Sequence, residues 1–207
     1  MGWFSRSDAQ DKEVLGLLAT VGRLNQENAR LKAGSEDLKT LVRHQDQDLE
    51  LLLGAAQRMS SETDAFALSS SLLDLCFRPL ELASFYVAEV DWAGDELHFL
   101  LYHEGGRTRK HPSRRLSTHP GLTGLALESG LPLYIRSFDE AEAKGAILTE
   151  AEKGSGLIPS SWYGVPFGKG PRPAGLVCFQ SFNVDAFSEG RRRVMDALVA
   201  VFGLAHR

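Results

Sequence analysis

SSWYGVPFGKGPRPAGLVCFQSF (Ser160–Phe182) reads as two strands around a turn, and this pair decides the fold of the C-terminal part of the chain. Ser160–Phe167 and Ala174–Phe182 are rich in aromatic and β-branched residues, which suit a pleated, half-buried surface. GKGPRP (Gly168–Pro173) between them has the glycines and prolines that punctuate a turn. Trp162 and Tyr163 are neighbours in the first strand and must point to opposite faces.

Working outward, SFYVAEVD (Ser84–Asp91) and ELHFLLYHE (Glu96–Glu104) form a second strand pair, turned at AGD (Ala93–Asp95). A polar, basic loop runs from Gly105 to about Thr118. HPGLTGLALESG (His119–Gly130) reads as a helix between glycine breaks, and LPLYIR (Leu131–Arg136) as a short strand. Asp139–Lys153 is acidic and alanine-rich, and predicts a helical lid. Asp64 caps a helix running to about Phe77, which Pro79 ends; Ser188 caps a closing helix with Val194, Leu198, Val201 and Phe202 on its apolar stripe. Strands joined by tight turns imply a mainly antiparallel sheet in an α+β fold. The first and last helices pack on one face, and loops cover the other, where a small-molecule pocket would form.

Residues 12–60 carry no proline and follow a heptad. With Val14 at a, the a column reads Val14, Val21, Asn28, Ser35, Val42, Leu49 and Ala56; the d column reads Leu17, Leu24, Leu31, Leu38, Gln45, Leu52 and Met59. Leucine at successive d positions with β-branched residues at a is the pattern of a parallel two-stranded coiled coil. Asn28 at a can pair with its own copy and fix register. The dimerisation residues are therefore Leu17, Leu24, Asn28, Leu31 and Leu38. Gly34, Ser35 and Gln45 soften the middle, but the register continues through them. The expected division is a coiled-coil dimerisation helix at 1–60 and a second domain at 61–207.

The stretches PGLTGLALESGLPLYI, SSWYGVPFGKGPRPAGLVCFQSF and AFSEGRRRVMDALVAVFGLA resemble the GAF domain family. That family shows a glycine-containing helix, a short strand, a Ser-aromatic-x-x-Val-Pro strand, a hairpin into a Gly-led strand, and a final helix opened by Phe-Ser or Phe-Thr. The resemblance runs from about Asp64 to the end. It implies a five- or six-stranded antiparallel sheet between helices, used as a sensory or interaction module and often dimerised through flanking coiled coils.

The chain's 207 residues carry 23 Lys and Arg against 27 Asp and Glu, a net charge of −4, so no basic field points to nucleic acid. No apolar run approaches the roughly 20 residues of a membrane span. MGWFSRSD lacks the apolar core of a signal peptide, and Arg6 follows Gly2 where a myristoylation signal has Ser or Thr, so a cytoplasmic protein is expected. Cys76 and Cys178 show no CxxC spacing and read as small core residues.

No GxSxG elbow, HExxH or paired Cys/His spacing is present. GSGLIP (Gly154–Pro159) lacks the spacing of a phosphate loop, and Asp139, Glu140, Glu142, Glu150 and Glu152 read as a solvated helix face. Family members that reduce free methionine sulfoxide use several pocket cysteines, and those that bind bilins use a loop cysteine; neither pattern is found here. The Asn-Lys…Phe…Asp-Glu signature of cyclic-nucleotide-binding members cannot be placed, and His103, His111 and His119 read as loop residues rather than haem ligands. The expectation is a chain that is not an enzyme, and no cofactor is assigned. The basic loop RTRKHPSRR (Arg107–Arg115) offers Arg107, Arg109, Arg114 and Arg115 for an anionic ligand or acidic partner, with Trp162 as a pocket wall.

The leading functional expectation is a non-catalytic regulatory or adaptor protein in signalling, a homodimer that acts through a protein partner and responds to a small-molecule ligand. The sequence stops at the closing helix, which on this reading leaves the output to that partner. The alternative is a small GAF-fold enzyme or a dedicated metabolite-binding protein.

Overall fold

A computed structural model describes residues 4–62, 64–148 and 150–206. Gly2, on which the lipidation reading turned, and Thr149 in the expected lid lie outside the described residues. The chain divides into two compact units, Met1–Leu49 and Glu50–Arg207.

Helix α1 (Phe4–Met59) is unbroken through Gly34 and Ser35. In the single chain Leu17, Leu24, Leu31 and Leu38 are each more than half exposed, as are Val14, Val21, Val42 and Leu49. Asn28 is exposed between them. The last turns of α1 behave differently. Ala55 and Met59 are fully buried in the core of the second unit, with Leu51 and Leu52 packed against it. The d positions at Leu52 and Met59 are thus taken up by the globular core.

Asp64 caps α2 (Ala65–Cys76) by accepting from the Ala67 amide at 2.9 Å. Strands β1 (Ser84–Asp91) and β2 (Glu96–Glu104) follow, with a turn in which the Asp91 carboxylate accepts from the amides of Ala93 and Gly94. The basic segment is not all loop. It contributes β3 (Arg107–Arg109) and β4 (Arg114–Arg115), both paired with β2. Asp95 secures the exit from β4, since its carboxylate accepts from the Ser117 amide at 3.0 Å.

Next come α3 (Gly121–Ser129), β5 (Leu133–Ile135), α4 (Phe138–Ala143) and α5 (Glu150–Ser155). The single helix expected at Asp139–Lys153 is therefore two short ones. Gly145, at φ 78°, takes the left-handed conformation and turns the chain out of α4. β6 (Ser161–Phe167), β7 (Gly175–Ser181) and α6 (Glu189–Ala205) complete the fold, and Ser188 caps α6 at the Arg191 amide.

The sheet order is β3-β2-β1-β7-β6-β5, with β4 also on β2, and every pairing is antiparallel. α2, α6 and the end of α1 cover one face, where Phe85, Val87, Tyr163, Val177 and Phe179 meet Met59, Leu72, Leu198 and Phe202. The opposite face turns Tyr86, Ala88, Trp162, Leu176 and Cys178 toward α3 and α4. Trp162 and Tyr163 lie on opposite sides, as strand alternation requires. One irregularity shapes the second face. The β1–β2 register shifts between Val87 and Ala88, so that Val87 faces Leu101 but Ala88 faces Phe99. The extra residue is Leu100.

Candidate functional site

The second face encloses a cavity of about 390 Å³. Its floor is aromatic. Tyr86 lies parallel to Tyr102 with ring centroids 5.4 Å apart, and Phe99 stands edge-on to both at 5.6 and 5.7 Å. His111, from the β3–β4 loop, lies against Phe99 at 4.2 Å and Tyr102 at 4.7 Å. The Tyr86 hydroxyl shares a 2.8 Å hydrogen bond with Thr123 Oγ1 and accepts from Trp162 Nε1 at 3.3 Å. Strand and roof are joined at that point, because Thr123 belongs to the first turn of α3. Phe138 and Ala141 of α4 and the segment 146–148 complete the cover.

The wall is charged on one side. Arg109, Lys110 and Arg114 line it, together with Glu104 and Glu152. The Arg114 guanidinium lies 5.7 Å from the Phe99 ring centroid and donates at 3.5 Å to the Pro120 carbonyl. Its Nε is buried without a hydrogen-bond partner, and so is Gln180 Oε1 on β7. Pro120 precedes α3 and no side chain caps that helix, so its first turn presents the positive end of the helix dipole to the same wall. A second cavity of about 350 Å³ shares Glu104, Arg109 and Pro159 with the first.

Burial sets the protonation states. It pushes the Tyr86 and Tyr102 phenols well above the usual tyrosine range, so both stay neutral hydrogen-bonding groups. It raises the Cys178 and Cys76 thiols as well, which removes thiolate character at neutral pH. Burial lowers the His111 imidazole below the ordinary histidine value.

Of the residues singled out from sequence, Arg109, Arg114 and Trp162 line the cavity. Arg107 and Arg115 are exposed on β3 and β4 and do not. His103 stands edge-on to Phe77 and His119 is exposed, so His111 is the one of those three histidines in the wall. Tyr86, Phe99, Tyr102, Thr123 and Gln180 were not foreseen as site residues. Gln180 carried a signal, since it is a lone amide in a mostly apolar strand and in phase with Cys178. Among the described residues no group of three or more His, Cys, Asp or Glu could hold a metal ion.

No family model matches the chain, and no curated protein does. Solved structures do match in fold. The GAF domain of a phosphoenolpyruvate-protein phosphotransferase from Acinetobacter aligns with a TM-score of 0.64 at 17% identity, covering 76% of this chain and 90% of that one. The corresponding GAF domain from Coxiella burnetii aligns at 0.61 and 15% identity, over 77% and 92% of the two chains. The free methionine-R-sulfoxide reductase from Neisseria meningitidis, in complex with its substrate, aligns at 0.61 and 16% identity, over 76% and 87%. The chain has the GAF-domain fold.

The reductases correct one expectation. The sequence reading gave a chain that is not an enzyme, yet proteins with catalytic activity share this fold. Missing catalytic motifs carried that reading, but on this fold chemistry depends on what lines the enclosed space under the loops, and no short motif reports it. Among the described residues, no helix is long and apolar enough to cross a membrane.

Proposed function

We propose that the chain is a regulatory module in signalling whose cavity binds a small molecule and whose N-terminal helix joins two copies. The observation that carries the ligand reading is the enclosed space of about 390 Å³ between an aromatic floor and a roof of short helices. That size and lining suit a small organic ligand. α4 in the roof and α5 in the wall are six residues each, and such short elements are the ones a ligand can reorder.

Dimerisation is supported by the heptad seam of Leu17, Leu24, Asn28, Leu31 and Leu38 along an exposed face of α1. The occupied module then acts as an adaptor on a protein partner, and occupancy biases that contact only by the ligand's differential affinity for the two states. Arg107 and Arg115, exposed beside the cavity, are the proposed contacts for an acidic partner surface. The two unpaired cysteines fit a reducing compartment, so the proposal places the module in the cytoplasm.

A thermal-shift screen of metabolites against the full chain tests the ligand reading. A ligand at 100 times its dissociation constant adds about 2.7 kcal/mol. Sedimentation tests the assembly: a dimer is expected for the full chain and a monomer for the Leu24→Lys, Leu31→Lys double variant. These point changes are preferable to removing 1–60, which would strip Ala55 and Met59 from the core. The likeness to the reductases favours a second reading, a small enzyme on this fold. Consumption of a cavity ligand by the purified chain would decide for it.

A further inference from the structure

Arg114 and Gln180 present the same problem from two sides of one cavity. A guanidinium is charged at every physiological pH. Burying one of its N–H groups without an acceptor costs more than leaving it in water. Arg114 Nε is in that position, while its guanidinium carbon lies 5.7 Å from the Phe99 ring centroid and its Nη2 donates to the Pro120 carbonyl at 3.5 Å. No ion pair to Arg114 is found among the described residues. Gln180 Oε1 is a buried acceptor with no donor.

The register shows how the two are arranged. Arg114 pairs with Leu97, which faces Val90 near one end of β1; Gln180 faces Ser84 at the other end. Six residues of strand separate those β1 positions, about 20 Å between Cα atoms. The Arg114 side chain reaches back from its end to the Phe99 ring, opposite Ala88. The guanidinium and the amide therefore bracket the floor of Tyr86, Phe99, Tyr102 and Trp162.

Resting on the reading of this cavity as a ligand site, we propose that its ligand is an elongated aromatic monocarboxylate with an N–H or O–H donor at its far end. Arg114 takes the carboxylate, the aromatic floor takes the ring, and Gln180 accepts from the donor. A single negative charge fits better than a phosphate dianion, because Arg109, Lys110 and Arg114 set against Glu104 and Glu152 leave the wall one formal positive charge.

The test is calorimetry of the full chain with four probes: 3-(4-hydroxyphenyl)propionate, its primary amide, 3-phenylpropionate and phenyl phosphate. The hydroxy acid is expected to bind best. Converting acid to amide should weaken binding about tenfold to a hundredfold, the worth of a charged hydrogen bond, and removing the hydroxyl about fivefold. Arg114→Gln should erase the acid–amide difference, and Gln180→Leu the hydroxyl difference, while Arg107→Gln changes neither. The acid–amide comparison on the unmodified chain does not depend on how well a variant folds. Equal binding of acid and amide, or tighter binding of phenyl phosphate, overturns the monocarboxylate assignment and leaves the cavity a ligand site. Failure of all four probes also overturns the monocarboxylate assignment, and the metabolite screen separately decides whether the cavity is a ligand site.

Discussion

Phe99 and Tyr102 are three residues apart on one strand, yet their rings meet on the same face of the sheet, 5.7 Å apart and 71° to one another. Strict alternation would put them on opposite faces. The bulge at Leu100 reconciles them, because it sends Leu100 and Leu101 to the helix-covered side and restores Tyr102 to the cavity. Because Leu100 is the extra residue, its removal leaves Leu101 opposite Val87 and Phe99 opposite Ala88 in a regular ladder, with Leu101–Glu104 on their present faces. Leu100→Ala keeps the bulge and should cost about 1–2 kcal/mol, since the side chain is only half-buried. Deleting Leu100 loses the same packing and should also cost about 1–2 kcal/mol. Urea unfolding of the two variants compares them, and a loss above about 4 kcal/mol for the deletion alone would refute the argument.

The Tyr86 hydroxyl is a buried polar tie between the floor and the roof, bonded to Thr123 Oγ1 and to Trp162 Nε1. Tyr86→Phe keeps the ring stack on Tyr102 but strands two buried groups. The expected loss is about 1–3 kcal/mol. Exchange of the α3 amides with deuterated solvent should accelerate more than that of the central strand β1, because only the roof loses its anchor. A uniform acceleration would mean that the bond is part of global stability and not a local hinge.

Much of this architecture was legible beforehand. The bounds of β1 and β2, the caps at Asp64 and Ser188 and the opposed faces of Trp162 and Tyr163 follow from composition and period, which are local properties. The cavity was not legible in the same way. Its floor depends on the bulge at Leu100, and its wall on β3 and β4 pairing back onto β2, both set by register between distant segments. The arginine-rich segment showed charge, but register alone decides that Arg109 and Arg114 line the wall while Arg107 and Arg115 remain outside.

His111 makes stability pH-dependent. Burial lowers its imidazole and Arg114 adds to that, while the Pro112 carbonyl and Glu104 oppose it; His103 is lowered by burial too, against Asp74. In the unfolded chain both titrate near 6.5. Below that value and above the folded pKa, the unfolded state holds a proton the folded state lacks, so stability falls as pH falls. The contribution is complete above about pH 6.5. Urea midpoints should therefore agree at pH 7 and 8 and decline toward pH 5. His111→Gln should flatten part of the slope and His103→Gln a further part. A slope unchanged by both would assign the effect elsewhere.

Asn28 is exposed in the apolar seam of α1, in phase with Val21. If two copies zip through that seam, Asn28→Val exchanges a polar pair for an apolar one. The assembly should become more resistant to denaturant and at the same time less uniform, sedimenting as dimers with higher oligomers. A monomer in both forms would remove the seam's assigned role.

Two glycines give opposite expectations for the same substitution. A Cβ on Gly175 would fall on the carbonyl oxygen of Ala88 and the ring of Phe167. Ala88 is in the central strand, paired on both sides, and cannot withdraw without breaking the ladder. Gly175→Ala should cost about 3 kcal/mol, at the upper end of the range for overpacking. A Cβ on Gly34 meets nothing within 4 Å, and its backbone is already helical. Gly34→Ala should gain about 1 kcal/mol in helix α1, because the unfolded chain loses freedom that the helix does not use. The first change should lower the melting temperature of the Glu50–Arg207 unit, and the second should raise helical content on heating without touching that transition. Loss of stability in both would show that the seam around Gly34 is packed against something that leaves no room for a methyl group.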